Sequence, residues 1–208
     1  MRKISTLLIL ATSLLFTSSH AFAGSSKYKS TLTAIPANTD IRIDVALGED
    51  LAYRADNFPK KSKICSPSKS GFVCGGFLGQ KDLDNLTKNM KEKVSKSFAK
   101  RDLAISDDAA LILKIKLLDA QNNRPTIGQQ SRETSLSFRS FSLGGAKIEA
   151  ELFTKDGTSL GTVKYAYYDN DFDEFTQNTG TWTDARIAIS RFSNKLAREF
   201  AKHSHGGT

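Results

Sequence analysis

The sequence predicts an α+β fold, a mostly antiparallel sheet of about five strands with two amphipathic helices packed on one face. Three observations predict it. Apolar and polar residues alternate with period two in several short segments, two long segments repeat apolar residues every three or four positions, and an Asp-Gly turn joins two of the alternating runs. A sheet with one apolar face and helices with one apolar stripe bury both when the helices cover the sheet.

The first segment lies outside that fold. In "MRKISTLLILATSLLFTSSHAFAGSS", Arg2 and Lys3 precede an apolar run from Ile4 to Phe16, and Ala21-Phe22-Ala23 has the small residues of a cleavage site. Residues 1–23 read as a secretory signal peptide cut near Ala23, which places the product in the periplasm or outside the cell. The run falls short of the roughly 20 residues that span a bilayer as a helix. No cysteine follows the cleavage point, so lipid attachment in the bacterial lipoprotein manner is not expected, and no later run is long enough to span.

Of 208 residues, 185 follow Ala23, a length that suits one domain over residues 24–203 with a flexible tail at 204–208. "IRIDVAL" alternates Ile41, Ile43, Val45 and Leu47 with Arg42, Asp44 and Ala46, a strand with one buried face. Residues 48–80 then form a polar connection with two prolines and five glycines, far longer than ordinary loops. From Lys81 to about Lys100, Leu83, Leu86, Met90, Val94 and Phe98 line one side of a helix, and its lysines occupy the remaining arc. Leu111, Leu113, Ile115 and Leu117 mark a second strand, and "QNNRPTIGQQ" breaks the pattern. Three more strands are expected at "TSLSFRSFSL", "AKIEAELFT" and "SLGTVKYAYY", the last two joined through Lys155-Asp156-Gly157. Ala185, Ile189, Phe192, Leu196 and Phe200 trace a second amphipathic helix, with Thr181 or Thr183 as its N-cap.

The passage "SFAKRDLAISDDAALILKIKLLDA", followed by a Gly-Gly-led strand, a hairpin and an amphipathic terminal helix, resembles small envelope domains of Gram-negative bacteria. The resemblance covers about Lys81 to His203. It is to uncharacterised periplasmic or lipoprotein families and, more distantly, to the TolB amino-terminal domain and the lipoprotein activators of penicillin-binding proteins. It implies a non-catalytic adaptor or assembly accessory. The two cysteines and the missing lipid-attachment cysteine depart from the lipoprotein pattern.

Both cysteines, Cys65 and Cys74, fall in "KICSPSKSGFVCGG", a stretch without helical or strand periodicity. Export to an oxidising compartment favours a disulfide between them. Closing this ten-residue loop contributes ~2.5–3 kcal/mol in the chain-entropy model, enough to shape a loop rather than to hold the fold. Two thiols are too few for a structural zinc site, and the two-residue spacing of thioredoxin-type motifs is absent.

Charge concentrates in the same region. The formal net charge is +8, or +6 without Arg2 and Lys3; between Arg54 and Arg101, twelve Lys and Arg oppose four Asp and Glu. Lys60, Lys61, Lys63 and Lys69 on the cysteine loop are the expected contacts to an anionic envelope component or an acidic protein surface. Nucleic acid is not an expected partner, because an exported protein meets little of it and the charge is modest.

No pattern specifies catalysis. Ser66-Pro67-Ser68-Lys69 matches the serine-x-x-lysine of penicillin-binding enzymes, but Pro67 and the flanking cysteines imply a short exposed loop rather than the start of a buried helix. The exported chain has histidines only at His203 and His205, in a terminal tail, which supplies no base for a triad. Asp169, Asp171 and Asp173 alternate as at the start of a calcium loop, yet the sixth position is Glu174 instead of glycine and the twelfth Gly180 instead of glutamate. A solvated acidic loop is the expectation there, with calcium as the alternative. No cofactor or metal is expected. The reading is an exported, non-catalytic binding or assembly accessory protein; the alternative is a periplasmic hydrolase with an unrecognised active site.

Overall fold

A computed structural model describes residues 25–32, 35–36, 38–58, 66–68, 71–73, 75–170 and 180–204. The element order is β1 (Ser25–Ser30), β2 (Ile41–Leu47), α1 (Glu49–Tyr53), β3 (Ser66–Ser68), β4 (Gly71–Val73), α2 (Gln80–Ala99), β5 (Leu111–Gln121), α3 (Ile127–Gln130), β6 (Gly145–Thr154), β7 (Ser159–Tyr168) and α4 (Thr183–Ser204). Five strands form one sheet in the order β1-β7-β6-β5-β2, and β3 pairs with β4 in a separate two-stranded ribbon.

The fold is α+β, but the sheet is mixed rather than mostly antiparallel. β2 runs parallel to β5, with Ile41 opposite Leu111 and Leu47 opposite Leu117. The chain leaves β2, passes through α1 and α2, and re-enters the sheet in the same direction; such a helical crossover is the connection that parallel neighbours require. The other pairings, β1 with β7, β7 with β6 and β6 with β5, are antiparallel.

Two strands differ from the sequence expectation. "TSLSFRSFSL" forms turns instead of a strand. Its serines bond locally: the Ser137 amide donates to Ser140 Oγ and the Arg139 amide to Ser137 Oγ, which offers the backbone an alternative to a ladder. The fifth strand is β1, where Tyr28 alone points an apolar side chain at the core and Lys27 and Lys29 are exposed. An edge strand of this composition has no alternating apolar signal to read.

Register places the buried side chains in rows. Ile43, Leu113 and Leu152 share one row, Ile115, Ala150 and Val163 the next, and Leu117, Ile148 and Tyr165 the next; all are buried. Between them lie Arg42, Asp44, Lys114, Lys116, Glu149, Glu151 and Lys164, at exposed or half-buried positions. The five stripe positions of α2 and the five of α4 are all buried. α2 contacts β2 and α4, and α4 contacts β6 and β7. Trp182 Nε1 donates to Asp82 Oδ1 at 2.9 Å near the two helix starts, and the Phe98 and Phe200 rings are 5.1 Å apart near the two ends. α2 and α4 therefore lie side by side and run in the same direction. α4 begins at Thr183, whose hydroxyl donates to the Gly180 carbonyl instead of accepting as an N-cap would.

Candidate binding surface at the loop end of the sheet

One end of the sheet collects the long connections. Leu47 stands opposite Leu117, Gln121 opposite Gly145, and Tyr168 opposite both Gly145 and Ser25. Residues 48–79, 122–144 and 169–182 all leave from this end, beyond the carboxyl termini of the parallel pair β2 and β5. In open sheets with parallel strands that is where loops assemble ligand sites.

Lys60, Lys61, Lys63, Lys69, Cys65 and Cys74 lie outside the described residues, as do Asp171, Asp173 and His205. The structure does describe the base of the loop that carries the lysines and cysteines. The amides of Phe77, Leu78 and Gly79 donate to the carbonyls of Asn57, Arg54 and Ala55, so residues 54–57 and 77–79 run together and close the loop at its root. The fit leaves no room at Gly76, where a Cβ would stand 2.2 Å from the Asn57 carbonyl oxygen. The Phe58 and Phe77 rings meet edge to face at 4.4 Å. Within the loop, β3 and β4 pair antiparallel with Ser66 opposite Val73, a ribbon that the missing periodicity of "KICSPSKSGFVCGG" did not announce.

Arg54 anchors this root to the sheet. Its Nη2 donates to Asp119 Oδ1 at 2.5 Å and its Nη1 to the Gly75 carbonyl at 3.4 Å. Its Nε lies 3.0 Å from Asp50 Oδ2, an ion pair whose angle falls short of a hydrogen bond. Asp119 follows the register shift after Leu117, and its second oxygen accepts from the Tyr168 hydroxyl at 2.6 Å. Burial first, then the Asp119 carboxylate, pushes the Tyr168 hydroxyl well above its ordinary pKa.

Segment 122–144 packs on the same root. Thr126 and Gln129 form a capping box around α3, and both reach out of it: Thr126 Oγ1 donates to the Phe77 carbonyl at 2.9 Å and Gln129 Nε2 to the Gly76 carbonyl at 3.2 Å. The Arg132 guanidinium sits 4.5 Å from the Phe77 ring centroid. Behind this layer is a buried polar network. Asp184 Oδ2 accepts from Asn123 Nδ2 at 2.5 Å and from the Gly144 amide at 2.9 Å, and the Asp184 amide donates to Asn123 Oδ1 at 3.0 Å. Ser142 Oγ donates to the Asn122 carbonyl at 2.6 Å. The Ser142 bond closes the segment on itself and the Asp184 bonds cross to α4, so 122–144 is held to the start of α4 on one side and to the cysteine-loop root on the other.

On this framework large apolar side chains face solvent: Ile127 is 78% exposed, Phe138 73% and Phe141 41%. Arg124 stands beside Phe138, its Nη1 donating to the carbonyls of Phe138 and Arg139 at 3.4 and 3.0 Å. Sequence reasoning missed this surface, although Thr126-Ile127-Gly128-Gln129 carries a readable capping-box signal.

Elsewhere, a cavity of about 200 Å³ opens at the opposite end, lined by Ile35, Ile41, Leu103 and Phe200 with Asp102 as the ionisable side chain in its lining. Among the described residues no group of three His, Cys, Asp or Glu side chains is placed to hold a metal ion, and no helix is long and apolar enough to cross a membrane. His203 is exposed at the end of α4.

No family model matches this chain. No curated protein matches it either. Among solved structures it is similar to a PelC dodecamer from Paraburkholderia phytofirmans, at 8% identity and a TM-score of 0.44, covering 83% of this chain and 98% of that one. A leucine-to-methionine variant of the same dodecamer gives 10% identity and a TM-score of 0.43 over the same shares. Neither is one of the envelope domains expected from the sequence of Lys81–His203. At this distance no activity, ligand or assembly transfers.

Proposed function

We propose that this protein is an exported, non-catalytic binding or assembly accessory of the bacterial envelope, and that it meets an anionic partner through the loop end of its sheet. The observation that carries the reading is the docking of segment 122–144 onto the root of the cysteine loop by Thr126, Gln129 and Arg132. That contact brings segment 122–144, with Arg124, Arg132 and Arg139, against the root of the loop whose sequence carries Lys60, Lys61, Lys63 and Lys69. A cluster of cations in neighbouring segments raises the local potential that attracts a multivalent anion.

Three supports accompany it. Ser66 and Val73, the immediate neighbours of Cys65 and Cys74, are cross-strand partners, which suits a disulfide at the mouth of the ribbon. The buried rows of the sheet lie on one face and both helices bury their stripes, which suits α2 and α4 covering that face. The signal-peptide pattern of residues 1–23 supplies the route to the periplasm or beyond.

The test is retention of the mature, oxidised protein on immobilised lipopolysaccharide and on soluble polyphosphate at two salt concentrations. Retention at low salt that vanishes at high salt supports the reading. Absence of retention on every polyanion at low salt removes it.

A further inference from the structure

We propose that Ile127 and Phe138 form a membrane-interface contact, and that the occupant of this surface is an anionic phospholipid layer. The inference rests on the reading that the loop end meets an anionic partner and names which one.

Three observations point there. First, the exposure of Ile127 and Phe138 is built rather than accidental. Thr126 and Gln129 cap the turn that presents Ile127, and Arg124 clamps the carbonyls of Phe138 and Arg139. Two large apolar side chains at 78% and 73% exposure within one loop segment, each on a hydrogen-bonded turn, are available to an apolar phase. Second, the chemistry around them is complementary to a headgroup layer. Segment 122–144 contains Arg124, Arg132 and Arg139 against Glu133 alone, and Arg124 stands beside Phe138, so the segment that offers apolar groups to an acyl boundary is also net positive toward phosphates. Third, the chain enters the sheet at this end. Ser25 pairs with Tyr168, one strand from Gly145 where segment 122–144 ends. On the signal-peptide reading, the chain released by cleavage near Ala23 enters β1 directly at this end of the sheet, the end that also carries segment 122–144. This is contact with the surface, not a crossing.

The experiment uses the chain from Gly24 onward, oxidised, with vesicles of phosphatidylglycerol and phosphatidylethanolamine, and with phosphatidylcholine vesicles as the uncharged comparison. The parent is expected to co-sediment with the anionic vesicles and not with phosphatidylcholine. The double variant Ile127→Ser with Phe138→Ser is expected to bind anionic vesicles about tenfold more weakly, with an unchanged thermal midpoint and unchanged retention on soluble polyphosphate. A Phe138→Trp variant reports insertion directly, through a blue shift of its emission on anionic vesicles. Equal vesicle binding by parent and double variant, or no blue shift, overturns the proposal while leaving the anionic-partner reading intact. A parent that self-associates through this patch and ignores vesicles also overturns it. Loss of binding to both vesicles and polyphosphate by the parent removes the underlying reading as well.

Discussion

Arg54 and Asp119, 65 positions apart in sequence, form an ion pair at 2.5 Å that ties the root of the cysteine loop to the central sheet. Arg54 is almost buried and Asp119 partly so, so the pair is shielded from water more than a surface salt bridge. Replacing Arg54 with alanine leaves Asp119 with the Tyr168 hydroxyl as its remaining partner among these contacts. We expect a loss of about 1–3 kcal/mol in urea unfolding, with faster proteolysis between residues 58 and 75. Unchanged stability together with unchanged cleavage would show that the loop root stands without this pair.

Asp184 is the hub of the buried network behind segment 122–144. Asp184→Ala strands the Gly144 amide and leaves Asn123 Nδ2 with the Ser142 carbonyl as its remaining acceptor, and is expected to cost about 1–3 kcal/mol. Asp184→Asn keeps an oxygen able to accept from both and is expected to cost clearly less. Denaturant midpoints for the two variants decide this, and equal losses would mean that the charge rather than the geometry matters.

Tyrosine hydroxyls set an alkaline limit. Tyr28 is raised by burial and by Glu199, whose carboxylate accepts a hydrogen bond from its hydroxyl; Tyr168 is raised by burial and Asp119; and burial pushes Tyr165 up to about 12. The unfolded chain releases these protons near the ordinary value of about 10, before the folded chain does. Their stabilising contribution is therefore complete below about pH 10 and is lost as pH rises toward the folded values. The thermal midpoint should fall above pH 10, and Tyr28→Phe with Tyr168→Phe should flatten that fall. An equally steep fall in the double variant would place the sensitivity elsewhere.

How much of this was legible in the sequence depends on whether the signal was local. The stripe Leu83-Leu86-Met90-Val94-Phe98 and the Asp156-Gly157 hairpin were, because helix period and turn chemistry act within a few residues. The parallel pairing of β2 with β5 was not, since alternation fixes which face is buried and says nothing of the neighbour's direction. "TSLSFRSFSL" alternates well enough to read as a strand, yet its serines cap their own turns. Ser25–Ser30 carries no alternating apolar pattern, since Tyr28 is its one large apolar side chain. At the loop end, Arg54 and Asp119 look like unrelated charges until the register shift after Leu117 brings them together.

The cysteine pair gives a redox prediction. Cys65→Ser with Cys74→Ser is expected to lower stability by at most ~2.5–3 kcal/mol and to loosen the loop, read as faster protease cleavage within residues 58–75. The oxidised parent treated with reductant should match the variant. Identical cleavage of parent with and without reductant would mean that the two sulfurs are not bridged.

The central claim is that the basic loop end captures an anionic partner, and salt-resolved retention on immobilised lipopolysaccharide tests it most directly. Replacing Lys60, Lys61, Lys63 and Lys69 together with alanine should weaken low-salt retention about tenfold or more while the thermal midpoint stays nearly constant. Full retention of the quadruple variant at low salt would contradict the account.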